Sequence, residues 1–551
     1  MIRAMTRPSI LTKHESLTEQ DALDIELDVI PQLQRQRETD DFRRKLQSST
    51  SHIRELISRH LQIPESDFVL DSPSAWKEGS FNICLGFDIN NDRHPHLPQR
   101  ALIRFPLPFN IGGSFAPGIM DEKLRCEAAT YIWVRENCAN IPIPRLLGMG
   151  FPGSQTFTAI ENETFLNRFR WYLRYTWNWL HGDKTSPYST YTRTKLTDVG
   201  YLLLEWVPNG RTVTDSWLQI VPGNKRTANL YRGIARIMLD LANVPLPKIG
   251  SWTMDNKGVL TLTNQPLLDL TLLWNQYKVP TGISRSSGSS YDPSDEFNPE
   301  RKRRRSSTHS IGRHASSSTS FFNKESREGP FVLFMSDLHP GNIFVDDDWN
   351  IVSIIDLELC PAAPIQMTQV PHWLTVRGVD QITGPHLDVY KQHYDMFVNI
   401  LEQEEKNLVQ DNSYSQRLRH EWETGRFWYV MALRSINAFP SIFEQHLQPR
   451  FFEEGFETHV QGKPISRLWC EDVDSFIVKK LQDYEVYKEK VRSIFAAVKT
   501  ENGDAGEEER GEERIDQQKK GEEETSLEKR EEVDSSVDTQ HNPEQEAMEA
   551  I

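Results

Sequence analysis

Cysteine is scarce in this chain, with five (Cys84, Cys126, Cys138, Cys360, Cys470) among 551 residues, an odd number with no C-x-x-C spacing. That argues against both a disulfide framework and a zinc cage, so the thiols are expected to be ordinary buried or half-buried side chains. Long apolar runs are missing too: none approaches the roughly 18 residues of a bilayer-crossing helix. The opening MIRAMTRPSILTKHESLTEQ holds no apolar block before a small-residue cleavage site, which predicts an intracellular, cytoplasmic protein without stable membrane insertion. Glycine (29) and proline (31) are too few for a collagenous or Pro-rich chain. Positive charge is outnumbered, 63 Lys and Arg against 79 Asp and Glu, for a net charge of −16. Residues 501–551 hold 19 acidic and 6 basic side chains, so the acidity belongs to the tail and the remainder is close to neutral. A near-neutral body predicts no nucleic-acid partner.

What is present divides the chain. Residues 1–40 are polar and show no sustained period, as expected of a disordered arm. The first helical pattern is DDFRRKLQSSTSHIRELISRHLQI, with Leu46, Ile53, Ile57 and Leu61 at helical spacing. Three β-like stretches follow, FVLDSP, FNICLGFDI and ALIRFPLP, whose Gly, Asn, Asp and Pro punctuation predicts an antiparallel sheet. Next comes a helix in DEKLRCEAATYIWVREN, stopped before Pro142 and Pro144. In TFLNRFRWYLRYTWNWLH, over 164–181, Phe165, Phe169, Leu173, Trp177 and Leu180 fall on one helical stripe beside Arg168, Arg170 and Arg174. A basic aromatic helix can lie on a membrane, but such stripes are usually core, so an inserted helix packed on the body is the expectation. Residues 284–322 form a Ser- and Arg-rich insertion too poor in apolar groups to offset its ordering entropy, predicted to be a disordered loop. Its RKRRR run (301–305) before Ser306 and Ser307 fits either a solvated loop, a nuclear import signal or a phosphorylation site. After Trp349 a mostly helical stretch is expected to 498, then the acidic tail 499–551, disordered or a frayed helix.

The most informative string is FVLFMSDLHPGNIFVDDDWNIVSIIDLE, from Phe331 to Glu358. It joins a β-like run, a D-x-x-x-x-N spacing (Asp337, Asn342), a hairpin and a second apolar run ending at Asp356. Phosphoryl transfer calls for this set: one carboxylate to accept the proton of an attacking hydroxyl, then an amide and a second carboxylate to hold Mg²⁺ against phosphates.

The segment resembles the catalytic and metal-binding loops of the aminoglycoside phosphotransferase and choline kinase family, and 230–267 is similar to a large fungal subgroup of it. The resemblance spans about 74–495 without the insertion. It implies an α+β, protein-kinase-like, two-lobed fold: a small antiparallel-sheet lobe over 41–207 and a larger, mainly helical lobe over 208–498. It also implies Asp337 as catalytic base, Asn342 and Asp356 as Mg²⁺ ligands, and a γ-phosphate contact or a structural hydrogen bond for His339. Gly79 and Ser80 fall at the phosphate-covering turn. Arg104 stands where the family keeps a phosphate-binding lysine, with Glu127 on the next helix as its partner, and Glu205, Trp206 and Val207 fall at the hinge whose backbone would hold adenine. The sequence departs from the pattern at Met335, where the family usually has His, and at Arg104. The expected function is ATP- and Mg²⁺-dependent transfer of a γ-phosphate to a hydroxyl of a small molecule; the alternative is a weak or inactive nucleotide-binding pseudokinase acting through protein interactions. Nothing after Asp356 reads as an activation segment ending in A-P-E, which disfavours a protein substrate.

Overall fold

The computed structural model describes residues 9–11, 16–24, 29–79, 81–108, 118–208, 210–216, 220–266, 329–408, 413–435, 438–451, 478 and 481–497. Both the Ser- and Arg-rich insertion and the acidic tail lie outside these residues. The chain divides into two compact units, Met1–Glu38 with Asp474–Ile551, and Thr39–Val473.

In the first unit, strands β1 (Ser9–Leu11) and β2 (Ser16–Thr18) pair antiparallel and lead into α1 (Glu19–Asp24) and the start of α2 (Ile30–Ser48). Leu17, Ala22, Val29 and Leu33 are buried with Val491 and Phe495 of a helix over 481–497. Here the structure differs from the featureless arm read from 1–40. The apolar partners lie at the other end of the chain, with Val29 N–H donating to the Tyr487 hydroxyl at 3.2 Å across 458 positions, so no local period betrays them.

The second unit mixes an antiparallel sheet with helices. The predicted long helix breaks at Ser49, giving the end of α2 and α3 (Thr50–Leu61), yet Leu46, Ile53, Ile57 and Leu61 are all buried as expected. Strands β3 (Phe68–Leu70), β4 (Lys77–Glu78), β5 (Asn82–Ile89) and β6 (Arg100–Pro106) follow, then α4 (Ile119–Asn137), β7 (Leu146–Gly150), β8 (Gln155–Ala159), α5 (Phe165–Leu180), β9 (Lys184–Thr185), β10 (Tyr188–Thr192) and β11 (Tyr201–Glu205). All of these strands but β9 build an 8-stranded sheet in the order β10-β8-β7-β11-β6-β5-β3, with β4 also on β5, and every pairing antiparallel. The three strands read from sequence are β3, β5 and β6.

Both faces of the sheet are covered, which is why β11 reads YLLLE without alternation. Tyr201 and Leu203 join a core with α3, while Leu202 and Leu204 join one with α4. Close approach of α3 needs Gly148, because a Cβ there would lie 2.3 Å from His60 Nδ1. His60 is fully buried between the Thr158 and Tyr201 hydroxyls, at 2.9 Å from each.

Helix α5 corrects an expectation. Its Phe165, Phe169, Leu173, Trp177 and Leu180 stripe faces outward, and Trp171 is its one buried side chain. The hydrogen-bonding stripe takes the body instead, for reasons developed below.

Strand β12 (Arg211–Thr212) and α6 (Lys225–Ala242) precede β13 (Ser251–Met254) and β14 (Val259–Asn264); β15 (Phe331–Leu333), β16 (Ile343–Val345), β17 (Ile351–Ile354) and β18 (Ala362–Pro364) follow. The helical stretch expected after Trp349 begins only at α7 (Pro385–Leu408), continuing with α8 (Ser413–Glu423), α9 (Arg426–Arg434), α10 (Phe439–Ile442) and α11 (Gln448–Phe451). An aromatic core including Tyr390, Tyr394, Phe427 and Trp428 joins α7, α8 and α9, with α7 packed against α6.

Candidate functional site

Strand β15 pairs with β18 and delivers the chain into the Asp337 turn. Met335 is buried in apolar core. The turn is fastened on three sides: Ser336 Oγ donates to Leu359 O (2.7 Å), Arg434 donates to Ser336 O (2.8 Å), and Trp373 Nε1 donates to Leu338 O (2.8 Å). His339 caps the short turn Pro340–Asn342 by accepting from Gly341 N–H through Nδ1 at 3.0 Å. A neutral His339 therefore carries its proton on Nε2, which lies 3.8 Å from Asp337 Oδ1. Asn342 Nδ2 donates to Asp337 O at 3.1 Å and reaches Asp337 Oδ2 at 3.5 Å, holding the two functional candidates in one turn.

The hairpin of β16 and β17 turns on Asp346, whose Oδ1 accepts from the N–H groups of Asp348 (3.0 Å) and Asn350 (2.8 Å). Past β17, Ile355 N–H donates to Asn342 O at 3.0 Å, tying the two loops together. Asp356 adopts φ 65°, a left-handed conformation uncommon outside glycine and associated with functional turns.

Arg104 brings distant parts of the chain onto this point. From the middle of β6 it pairs with Glu127 of α4 and donates to Asp356 Oδ1 at 3.3 Å. The expected Arg104 and Glu127 partners thus meet. Two further residues complete the cluster and escaped the sequence reading: Lys123, one helical turn before Glu127, lies 2.5 Å from Glu358, both nearly inaccessible. Their contact is a buried ion pair. The K-L-R-C-E and D-L-E spacings carried the only available signal. Carboxylate oxygens of Glu127, Asp356 and Glu358 all lie within 4.8 Å of one another.

Three carboxylates so close cannot share one electrostatic fate. Burial, reinforced by Asp356, pushes Glu358 well above the usual carboxylate range against the pull of Lys123. Burial likewise raises Glu127, against the opposing charge of Arg104. Asp356 also loses solvation, yet Arg104 and Lys123 outweigh that loss and hold its carboxyl below its ordinary value. Asp356 is therefore the committed anion of the cluster.

A cavity of about 110 Å³ opens beside Asp337 and His339. Its walls are apolar side chains of α6 and β15, with His372, Trp373 and Arg434 opposite. Among the described residues lining it, Asp337 is the one carboxylate. His372 is lowered to about 4 by burial first, then by Arg434 and His339, so it is neutral near pH 7.

Other expected positions fare differently. Gly79 N–H is committed to Asn82 O at 2.8 Å, its φ is not left-handed, and a Cβ there would meet nothing closer than 3.6 Å; neither backbone nor space demands glycine. Ser80 lies outside the described residues. Glu205 N–H donates to Arg145 O (2.9 Å) and Trp206 N–H to Arg100 O (3.1 Å), so neither is free for a ligand. Glu205 also accepts from Arg145 Nε at 3.0 Å, and the Arg100 guanidinium stacks over Trp206.

No family model matches the chain, and no curated protein matches it. Among solved structures it is similar to an ethanolamine kinase of Plasmodium vivax, at 10% identity and a TM-score of 0.31, covering 71% of this chain and 79% of that one. A likeness that loose assigns no residue a role.

Proposed function

We propose that this protein is an ATP- and Mg²⁺-dependent phosphotransferase that passes a γ-phosphate to a hydroxyl of a small molecule from a two-lobed, protein-kinase-like fold. One observation carries the reading: Arg104, Glu127 and Asp356, from a strand, a helix and a loop remote in sequence, form one ion-pair cluster, and the Asp356 loop is bonded to the turn holding Asp337 and Asn342. Asp337, half exposed beside the cavity, accepts the proton of the attacking hydroxyl. His339 faces it, with Nε2 3.8 Å from Asp337 Oδ1. Arg104, fixed between Glu127 and Asp356, presents a constant positive charge to phosphate. With the N–H groups of Glu205 and Trp206 committed, Val207 is the hinge donor for adenine.

The donor set suits Mg²⁺, which prefers hard oxygen ligands. Asp356, Asn342 and Glu358 would hold it, and Glu127 Oε2, buried with no hydrogen-bond partner, marks unmet polar capacity in the same cluster. When bound, the ion neutralises charge on the phosphates. The 110 Å³ cavity would take the hydroxyl-bearing end of the acceptor; a cavity of about 150 Å³ holds a benzene ring, so a small, largely apolar group fits.

The second reading, a nucleotide-binding protein that acts through contacts without catalysis, is favoured by the Arg104 bond to Asp356, since a metal must share that carboxylate. Melting with Mg·ATP tests both: saturation at a hundredfold excess over Kd is expected to stabilise by about 2.7 kcal/mol, and Asp356→Asn to lose most of that gain. Absence of any shift in the wild type rejects both readings; a shift without ATP consumption over a broad set of alcohols leaves the second.

A further inference from the structure

Helix α5 is mounted with its apolar side outward. Asn167, Trp171, Arg174 and Asn178, spaced i, i+4, i+7 and i+11, form the stripe facing the body. All four are hydrogen-bonded: Asn167 Nδ2 donates to Glu163 Oε2 (2.8 Å), Trp171 Nε1 to Ser186 O (3.0 Å), Arg174 to Tyr188 O (3.2 Å) and Asn178 Nδ2 to Thr185 Oγ1 (2.9 Å). On the other side Phe165 is 81% exposed, Trp177 65%, Trp179 66% and Leu180 67%. Of 18 exposed large hydrophobic side chains among the described residues, 9 lie on this one helix, including every exposed Trp and Phe. Such a concentration marks a surface that something covers.

Charge and shape select the covering. The 16 residues of α5 contain three arginines and no carboxylate. Arg168 is anchored to Ile160 O and Glu161 O and Arg174 to Tyr188 O, whereas Arg170, at the edge of the apolar arc, has no partner among the described residues. At about 100° per residue the exposed apolar side chains span an arc of roughly 200°, interrupted by Arg168, whose guanidinium is turned back onto the backbone before the helix, and this arc is twice the stripe a helix needs to pack on a protein core. A fluid surface can close around an arc that wide, and phosphate headgroups complement the rim cation. No helix of the described residues is long and apolar enough to cross a membrane, so the helix would lie in the interface plane.

We infer that α5 is a peripheral docking helix for an anionic lipid bilayer, with Phe165, Phe169, Leu173, Trp177 and Leu180 sunk at the headgroup boundary and Arg170 on lipid phosphate. This stands apart from the proposed activity. The test is sedimentation of the full chain with vesicles of phosphatidylcholine, alone or mixed with phosphatidylserine, alongside Trp emission. The wild type pellets with the mixed vesicles and its emission shifts to the blue. The double variant Phe169→Ser, Trp177→Ser loses about tenfold or more in vesicle binding, and Arg170→Glu loses several-fold on anionic vesicles only, as does raised salt. Unchanged circular dichroism shows that the variants fold. Equal binding of wild type and double variant, or no binding by the wild type, overturns the inference. So does a wild-type dimer that Phe169→Ser, Trp177→Ser converts to monomer without vesicle binding, which would make the face an interface between copies.

Discussion

Helices α4 and α5 break the usual partition of side chains in opposite directions. Helix α4 takes Lys123 and Glu127 into the interior, at 3% and 0% exposure, while α5 leaves Phe and Trp in solvent. Buried charge is tolerated in α4 because each ion has an opposite partner, Glu127 with Arg104 and Lys123 with Glu358. Exposed apolar surface on α5 has no counterpart among the described residues, while its polar stripe is fully engaged. The contrast separates two ways a helix departs from that partition: one holds a charged cluster closed, and one turns an apolar face outward.

Breaking the α4 pairs should have the largest effect. Lys123→Met leaves the three clustered carboxyl groups of Glu127, Asp356 and Glu358 with Arg104 as their cation and is expected to cost about 3–5 kcal/mol in urea unfolding, whereas Lys123→Met with Glu358→Met should recover most of it. A loss below about 1 kcal/mol in the single variant would mean that the pair is open to water.

Acid should produce an intermediate effect through His60, buried on α3. Its pKa is lowered from 6.5 to about 3, by burial first and by Arg59 and Arg193 next. The unfolded chain takes up the proton that the folded chain refuses, so stability is whole above pH 6.5 and falls as pH drops from there toward 3. The slope expected from one such group is roughly 1 kcal/mol per pH unit, with His372 and His446, both lowered to about 4, adding to it. His60→Gln should flatten the curve; an unchanged slope would assign the acid sensitivity elsewhere.

The smallest effect belongs to α5. Phe169→Ser with Trp177→Ser should change the unfolding free energy by about 0.5 kcal/mol or less, as expected of solvent-facing positions. A drop of several kcal/mol would show that the face is packed in solution and would erase the contrast with α4.

How legible these features were follows from where their partners lie. Asp337, Asn342 and Asp356 sit in one string whose spacing alone suggests metal and phosphate chemistry, and the structure brings their loops together. Strands β3, β5 and β6 were legible from turn punctuation. Arg104 and Glu127 needed a resemblance to be paired, because a β6 to α4 contact leaves no local period. Lys123 with Glu358 had none to lean on. The break at Ser49 between α2 and α3 was hidden because both helices keep the same apolar spacing across it. For α5 the sequence told which face is apolar but could not tell which face is outward: that is set by hydrogen bonds to Ser186, Tyr188 and Thr185. Likewise Gly79, attractive as a lone glycine between strands, turned out to have its N–H spent on Asn82.

On the proposed reading Asp337 is the base of a phosphotransferase whose nucleotide is held by other residues. The measurement that tests it most directly is ATP binding and ATP consumption, side by side, in wild type and Asp337→Asn, with small alcohols as acceptors. Nearly equal Mg·ATP affinity and a rate lower by roughly 10²–10⁴ in the variant are expected. Equal consumption of ATP by the two proteins across the acceptors would contradict it.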